Sequence, residues 1–137
     1  SSDVCSSDLT LLYAGQEAQA VTTPNLFDID KINWLGMKKE FVELIKTLGV
    51  IKKKEIMANG FYEICVAKGK NVILASYVIK NKKLIGIFNV GMENGEINLD
   101  LADGEYSNII DGTVVAVKQG KLMLKNKIII FEIQFDK

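Results

Sequence analysis

The side chains that could carry chemistry here are carboxylates, lysines, tyrosines and two cysteines, because the chain contains no histidine. Without an imidazole, Ser-His-Asp and Cys-His catalysis and HExxH zinc sites are excluded. The first candidates are Gln16 and Glu17, two polar residues that directly follow a short apolar run ending at Gly15. An amide and a carboxylate at this place suit either hydrogen bonding to a polar substrate or the fixing of a turn.

Four further candidates lie downstream. Asp28 and Asp30 are two residues apart, a spacing that suits a pair of acids, a cation site, or ordinary loop solvation and helix capping. Trp34 suits either stacking on a ring of a ligand or packing in a core. Cys65 has neither a base nor a second thiol beside it, so we predict a small packed hydrophobe. The sequence predicts neither a metal site nor a cofactor.

The composition is that of a folded domain with no strong charge bias. The 137 residues include 17 Lys+Arg and 17 Asp+Glu, and 48% are hydrophobic. This length accommodates one or two small domains. The balanced charge provides no electrostatic footprint for nucleic acid or anionic lipid. No apolar run approaches the roughly 20 residues that a membrane helix needs, so we predict neither a nucleic-acid nor a membrane partner.

The opening segment, residues 1–9, resembles the in-frame translation of a sequencing adapter. We expect this leader to be non-native and exclude it from fold reasoning. Without it, the net charge is +2 and Cys65 is the one remaining cysteine, which leaves no intrachain disulfide. The native N-terminus and any export signal would then be missing, so no compartment is assigned.

The first part of the chain has the pattern of one βα unit. Thr10–Ala14 is a short apolar run typical of a strand buried on both faces, as in a parallel sheet. After a long loop, Met37–Leu48 has apolar residues at helical spacing, and Gly49 is predicted to end that helix. A linker over 51–60 follows. A single βα unit cannot fold alone, so we expect the α/β domain to be truncated.

From Phe61 onward the hydrophobic pattern has a period of two. In Phe131–Phe135, for example, apolar residues alternate with Glu132 and Gln134. About eight short strands at near-regular spacing predict an antiparallel sandwich or barrel over 61–137. The turns between them have hairpin chemistry, at Lys80-Asn81-Lys82, Asn94-Gly95, Asp103-Gly104, Asp111-Gly112 and Gln119-Gly120.

Several of these segments resemble the α-amylase family of glycoside hydrolases (family 13). Leu11–Glu17 is similar to the eighth strand of that family and its exit, where a Tyr-x-Gly-(Gln/Asp)-Glu signature occurs. Pro24–Trp34 looks like the loop that follows. Gly86–Val90 and Asp103–Gly112 resemble the C-terminal sandwich of the family. Together the resemblance covers residues 9–135.

The resemblance implies a mixed fold: the last βα unit of a truncated (β/α)₈ barrel at 10–50, followed by an all-β antiparallel sandwich of about eight strands. The barrel would need roughly 250 residues, most of them upstream. It implies a parent enzyme that hydrolyses α-glucans such as starch and maltodextrin with retention, using two carboxyl groups. In the family these acids, and a third stabilising Asp, follow the fourth, fifth and seventh strands, so this chain would hold none.

The resemblance also assigns roles to individual residues. Gln16 and Glu17 lie where the strand leaves the barrel, beside the substrate cleft, and are the candidate substrate-binding residues. Tyr13, Gly15 and Trp34 are assigned to the structural motif. The implied partners are the α-glucan substrate of the parent and the missing N-terminal barrel of the same chain. The fragment alone is expected to be inactive.

Two other interpretations remain open from the sequence. The first is a non-enzymatic carbohydrate-binding or structural β-sandwich; the lack of an obvious exposed aromatic row counts against sugar binding. The second is an unrelated α+β domain in which the strand Thr10–Ala14 joins the later sheet.

Overall fold

The computed structural model describes residues 15–20, 27, 29 and 31–135. The chain divides into two compact units, Ser1–Lys52 and Lys53–Lys137. The predicted strand Thr10–Ala14 lies outside the described residues, and so do Tyr13, Asp28 and Asp30.

The first unit contains a turn at residues 15–19, a short 3₁₀ helix at Trp34–Gly36, and the helix α1, Lys39–Lys52. A helix was predicted here, but its predicted end at Gly49 is wrong. The helix continues because Ile51 lies three residues beyond Leu48 and extends the apolar face; Ile51 is buried. A glycine inside a helix lowers its stability without stopping it.

Gly49→Ala is expected to stabilise α1 by about 1 kcal/mol, because alanine has the higher helix propensity. Gly49 is exposed, and a Cβ added there has no atom within 4 Å. Thermal unfolding followed by circular dichroism measures the change. Gly69→Ala is the matched control: its added Cβ also meets open space, but its φ of +74° disfavours alanine. We expect Gly69→Ala to lower the stability of the protein. If Gly49→Ala also lowered it, the prediction would be contradicted.

The second unit begins with a short helix, α2 (Glu55–Asn59), which lies inside the region predicted as a linker. Eight strands follow, and every pair is antiparallel. They form two four-stranded sheets, in the orders β1-β2-β3-β8 and β4-β7-β6-β5. The strands are β1 Phe61–Val66, β2 Ile73–Ile79, β3 Lys82–Phe88, β4 Glu96–Asn98, β5 Gly104–Ser107, β6 Val114–Lys118, β7 Lys121–Met123 and β8 Ile129–Gln134. The predicted antiparallel sandwich of eight strands is confirmed.

The core lies between the two sheets and is built from alternate residues of strands in both sheets. Apolar side chains at every second position of β3, β6 and β8 are buried there, as the period-two pattern predicts. Phe131 of β8 has no exposed surface. The cluster contains Ala67, Val72, Ile85, Ile87, Ile97, Val115, Val117, Leu122, Leu124, Ile129 and Phe131.

The outer face of the first sheet is only partly covered. The short helix α2 contacts β2 and β3, and its Ile56 is buried, as are Tyr77 and Leu84 on this face. Toward the edge strand β1 the cover ends, and Ile64 and Val66 are more than half exposed. Because α2 does not cover this edge, β1 is the most solvent-accessible strand of the first sheet.

Of the five predicted hairpin turns, three join neighbouring paired strands. The other two join strands that do not pair with each other. Gln119-Gly120 joins β6 to β7 with φ angles of 52° and 65°, which suits the twist of neighbouring strands. Lys80-Asn81 and Asp111-Gly112 also connect paired strands. Asn94-Gly95, by contrast, precedes a crossing between sheets, and Asp103-Gly104 links β4 to β5 at opposite edges of one sheet. Those two predictions of hairpins are wrong.

Candidate functional site

The predicted strand exit in the first unit forms a tight turn around Gly15. The Gly15 carbonyl accepts hydrogen bonds from the N–H groups of Ala18 (3.1 Å) and Ala20 (3.0 Å). The Gly15 N–H donates to the Glu17 carboxylate at 3.1 Å. Gly15 is buried with φ at +97°, a conformation that favours glycine. Glu17 therefore takes part in holding this turn.

Of the other predicted residues, Gln16 belongs to this turn, where its carbonyl accepts a hydrogen bond from the Gln19 N–H at 3.0 Å. Gln16 is exposed, and Glu17 is half-buried. Trp34 starts the short 3₁₀ helix and is 48% exposed. Substrate binding by Gln16 and Glu17 and the structural role of Trp34 stay predictions.

A cavity opens in the second unit between the edges of the two sheets. Its volume is about 160 Å³, room for about five water molecules at ~30 Å³ each. Strands β1, β2 and β3 line one side, and the segment Asn98–Leu101 lines the other. Leu74, Ile85, Leu99 and Leu101 provide an apolar floor.

Polar side chains surround this floor. They are Glu63, Ser76, Lys83, Asn98 and Asp100. None of them makes a side-chain hydrogen bond or ion pair to another described residue, which leaves donors and acceptors available to a small polar ligand. Sequence analysis missed the cavity, although one residue indicates it. Lys83 is a charged residue on the inward face of β3, in line with the buried Ile85 and Ile87.

Cys65 lies at the rim of this cavity and is exposed. The prediction of a packed cysteine is therefore wrong. The alternation of β1 does place Cys65 on the inner side, opposite Leu74. However, β1 is the edge of its sheet, and all six of its residues are exposed. Period-two patterning indicates which way a side chain faces and not whether a second sheet covers it.

The lining of this cavity suits the binding of a ligand. Within the described ranges no three His, Cys, Asp or Glu side chains come together in a way that could hold a metal ion. The cavity offers donors and acceptors over an apolar floor, which suits recognition of a small neutral or mixed-charge molecule.

No helix in the described part of the chain is long and apolar enough to cross a membrane.

The side chain of Asn108, between β5 and β8, makes four hydrogen bonds. It is fully buried. Its Nδ2 donates to the Asp111 carboxylate (2.9 Å) and the Ile128 carbonyl (3.1 Å). Its Oδ1 accepts from the N–H groups of Ile110 (3.2 Å) and Ile130 (2.9 Å). This amide ties the end of the second sheet to the edge of the first.

Asp111 extends that network to the surface. Its carboxylate accepts hydrogen bonds from the Lys127 ammonium (2.6 Å) and from the Thr113 hydroxyl (2.6 Å) and N–H (3.0 Å). The Lys127 ammonium first, and then the two Thr113 donors, hold the pKa of Asp111 well below its ordinary value. A depressed carboxyl pKa stabilises the fold above the unfolded-state pKa, and the stabilisation is lost as the pH falls.

We therefore expect the stability of the sandwich to fall as the pH is lowered below about 4, the unfolded pKa of aspartate. Asp111→Asn should remove part of this dependence, at a cost near neutral pH of about 1 kcal/mol or less because the pair is partly exposed. Urea unfolding at a series of pH values measures both. Asp100→Asn is the matched control, because that carboxylate has no described side-chain partner; equal pH profiles for the two variants would contradict the prediction.

The architecture defines the class to which the second unit belongs. Two four-stranded antiparallel sheets packed around one apolar core form a β-sandwich. The family described as "Bacterial Alpha amylase C-terminal domain" matches residues 63–131, half of the chain and almost the whole sandwich. The chain belongs to this family, as the resemblance in the sequence implied.

Solved α-amylases share the fold. The chain is similar to an α-amylase from Lactobacillus plantarum, with a TM-score of 0.79 and 23% identity over 89% of this chain. A noncanonic maltogenic α-amylase from Thermotoga neapolitana matches 91% of it, with a TM-score of 0.74 and 16% identity. An Anoxybacillus α-amylase matches 74%, with a TM-score of 0.56 and 18% identity. A search of curated proteins found no match.

The chain spans only a minor part of these solved relatives. It covers 29% of the Lactobacillus protein, 33% of the Thermotoga protein and 24% of the Anoxybacillus protein. The family match therefore identifies the second unit as an α-amylase C-terminal domain, and these structures share its fold.

Proposed function

We propose that this chain is part of an α-amylase-like enzyme that hydrolyses α-glucans such as starch and maltodextrin with retention of configuration. The observation that carries the proposal is the family match from β1 to β8 on a sandwich of two antiparallel sheets. Retention requires two carboxyl groups about 5–5.5 Å apart, one as nucleophile and one as acid/base. We assign both to sequence upstream of this chain.

Residues 10–50 are, in this proposal, the last strand, loop and helix of the catalytic barrel. Two observations support the assignment. The structural match to the Lactobacillus enzyme covers 89% of the chain, more than the second unit contains. The helix α1 also follows the proposed strand and loop in the order of a βα unit. Glu17, whose carboxylate accepts a hydrogen bond from Gly15, would shape the strand exit beside the substrate cleft.

The test compares this chain with the product of the extended gene. Extending the reading frame upstream should reveal the preceding barrel with acids after its fourth, fifth and seventh strands. The extended protein should release reducing sugar from soluble starch, and the 137-residue chain should release none. Turnover by the 137-residue chain, or an extended protein without those acids, would overturn the proposal.

A second candidate function is glucan binding by the sandwich itself, favoured by the cavity, whose polar rim has no side-chain partner among the described residues. Its floor could contact the apolar face of a sugar, and Asn98 and Lys83 could bond to hydroxyl groups. Titration of the chain with maltose, followed by amide NMR shifts, tests this. Shifts confined to the cavity and lost in Lys83→Met and Asn98→Leu would support binding. An unchanged spectrum would leave the sandwich a packing role.

A further inference from the structure

The edge strand β1 has little of the usual protection against pairing with another strand. It lies at the end of the order β1-β2-β3-β8, and all six of its residues are exposed. It contains neither proline nor glycine, and its one charge is Glu63. Tyr62, Ile64 and Val66 present an apolar row on its outer face. Natural edges are normally short, charged, bulged or covered.

The register identifies which backbone groups of β1 are free. The Ala67 N–H donates to the Val72 carbonyl at 2.8 Å, so this pair is hydrogen-bonded. Hydrogen-bonded and non-bonded pairs alternate along an antiparallel ladder. Phe61, Glu63 and Cys65 therefore direct their N–H and carbonyl groups toward β2. The equivalent groups of Tyr62, Ile64 and Val66 point away from the sheet.

The other sheet edges in the described part of the chain cannot match this one. Strands β4 and β5 are three and four residues long. The outer edge of β8 is occupied, because the Ile130 N–H donates to the Asn108 side chain and its carbonyl accepts from Ile109. The matching edge is therefore the β1 strand of a second copy, an arrangement that closes with two-fold symmetry.

We propose that two copies of this chain associate by antiparallel pairing of their β1 strands, with Ile64 opposite Ile64 of the second copy. In this register all three outward-facing residues find partners, since Tyr62 lies opposite Val66. The apolar rows of the two copies then join into one ladder. A shift of the register by two residues, toward either end, leaves only two of the three paired in each copy. One such shift also places Glu63 opposite Glu63, which like-charge repulsion disfavours.

The proposed register makes a specific statement about Cys65. It lies opposite Glu63 of the second copy, at a Cα separation of about 4.5 Å for a non-bonded pair. The two Cys65 residues are then diagonal neighbours about 7–8 Å apart. That exceeds the separations of about 4.4–6.8 Å usual for disulfides. In one shifted register Cys65 would instead lie directly opposite Cys65.

Sedimentation equilibrium of the whole chain tests the association. The wild type should be a dimer that dissociates on dilution. Ile64→Pro removes an outward N–H from each copy and no bond to β2, so it should weaken dimerisation by about 10- to 30-fold. Ile64→Val keeps the N–H and a branched apolar side chain, and should dimerise like the wild type. A monomeric wild type, or equal association of the proline and valine variants, would overturn the proposal.

Disulfide trapping tests the register independently of these substitutions. The other cysteine of the chain, Cys5, is first replaced by serine. In this Cys5→Ser background, Glu63→Cys should produce a reducible dimer under mild oxidation, because residue 63 faces Cys65 of the second copy. The background protein, with Cys65 alone, should produce little. Efficient linking through Cys65 alone would contradict the register. No linking in either protein would contradict edge pairing. Residues 63 and 65 lie on the inner side of the sheet, so a dimer that forms only through the outer faces cannot link them.

Discussion

Replacing Phe131 by alanine is expected to lower the free energy of unfolding of the sandwich by about 3–5 kcal/mol. Phe131 is fully buried at the centre of the core. Its ring stacks on Tyr106 of the opposite sheet, with centroids 4.9 Å apart and the planes 23° from parallel. The truncation removes both the transferred apolar surface and the contact that joins the two sheets, and it leaves a cavity that a close-packed interior cannot fill without strain.

Thermal and urea unfolding of the second unit measure this loss. For a unit of this size, each kcal/mol lowers the melting temperature by about 4–8 °C. The matched control is Phe135→Ala, the same chemical change four residues along the chain, where the ring is 40% exposed. We expect that variant to lose about 1 kcal/mol or less. Similar losses in the two variants would contradict the assignment of Phe131 to the core.

The location of Phe131 in the core illustrates what the sequence was able to predict. The alternation of apolar and polar residues in β8 and β4 is a local signal, and it requires only that one face be buried. Eight such segments predicted an antiparallel sandwich, and the structure has eight strands in two sheets. The helix α1 was predicted for the same reason, from its 3.6-residue period.

The order of the strands could not be predicted because it depends on contacts distant in sequence. Strand β8 pairs with β3 in the first sheet, and β4 pairs with β7 in the second. The turn chemistry of Asp103-Gly104 is the same whether it joins neighbours or opposite edges. The exposure of Cys65 has the same origin: its inward direction follows from the local pattern, but the edge position of β1 follows from the whole sheet.

The candidate sites divide in a similar way. The turn at Gly15 and Glu17 is local, and the sequence singled out its residues before the structure showed the bond between them. The cavity in the sandwich combines β1, β3 and the segment after β4, which no sequence spacing brings together. The Asn108 network likewise joins residues up to 22 positions apart.

Asn108→Ala is expected to destabilise the sandwich by about 3 kcal/mol, because it leaves buried polar groups without partners. The Ile130 N–H and the Ile128 carbonyl lose their bonds to the Asn108 side chain, as does the Ile110 N–H. The effect should exceed that of an ordinary surface hydrogen bond, since the Asn108 side chain is fully buried and water cannot replace it without opening the edge of β8. Urea unfolding at neutral pH measures the change.

Two variants separate this mechanism from simple loss of volume. Asn98→Ala makes the same truncation at an exposed asparagine whose side chain has no described partner, and should change stability by less than about 0.5 kcal/mol. Asn108→Asp keeps the volume and the acceptor for Ile110 and Ile130, but replaces the donor with a carboxylate beside Asp111. It should be destabilised at neutral pH and recover partly as the pH falls, because protonation removes the repulsion and restores a donor. An Asn108→Asp variant as stable as the wild type at neutral pH would show that the bonds to Ile128 and Asp111 contribute little, and that the acceptor side of the amide alone joins the two sheets.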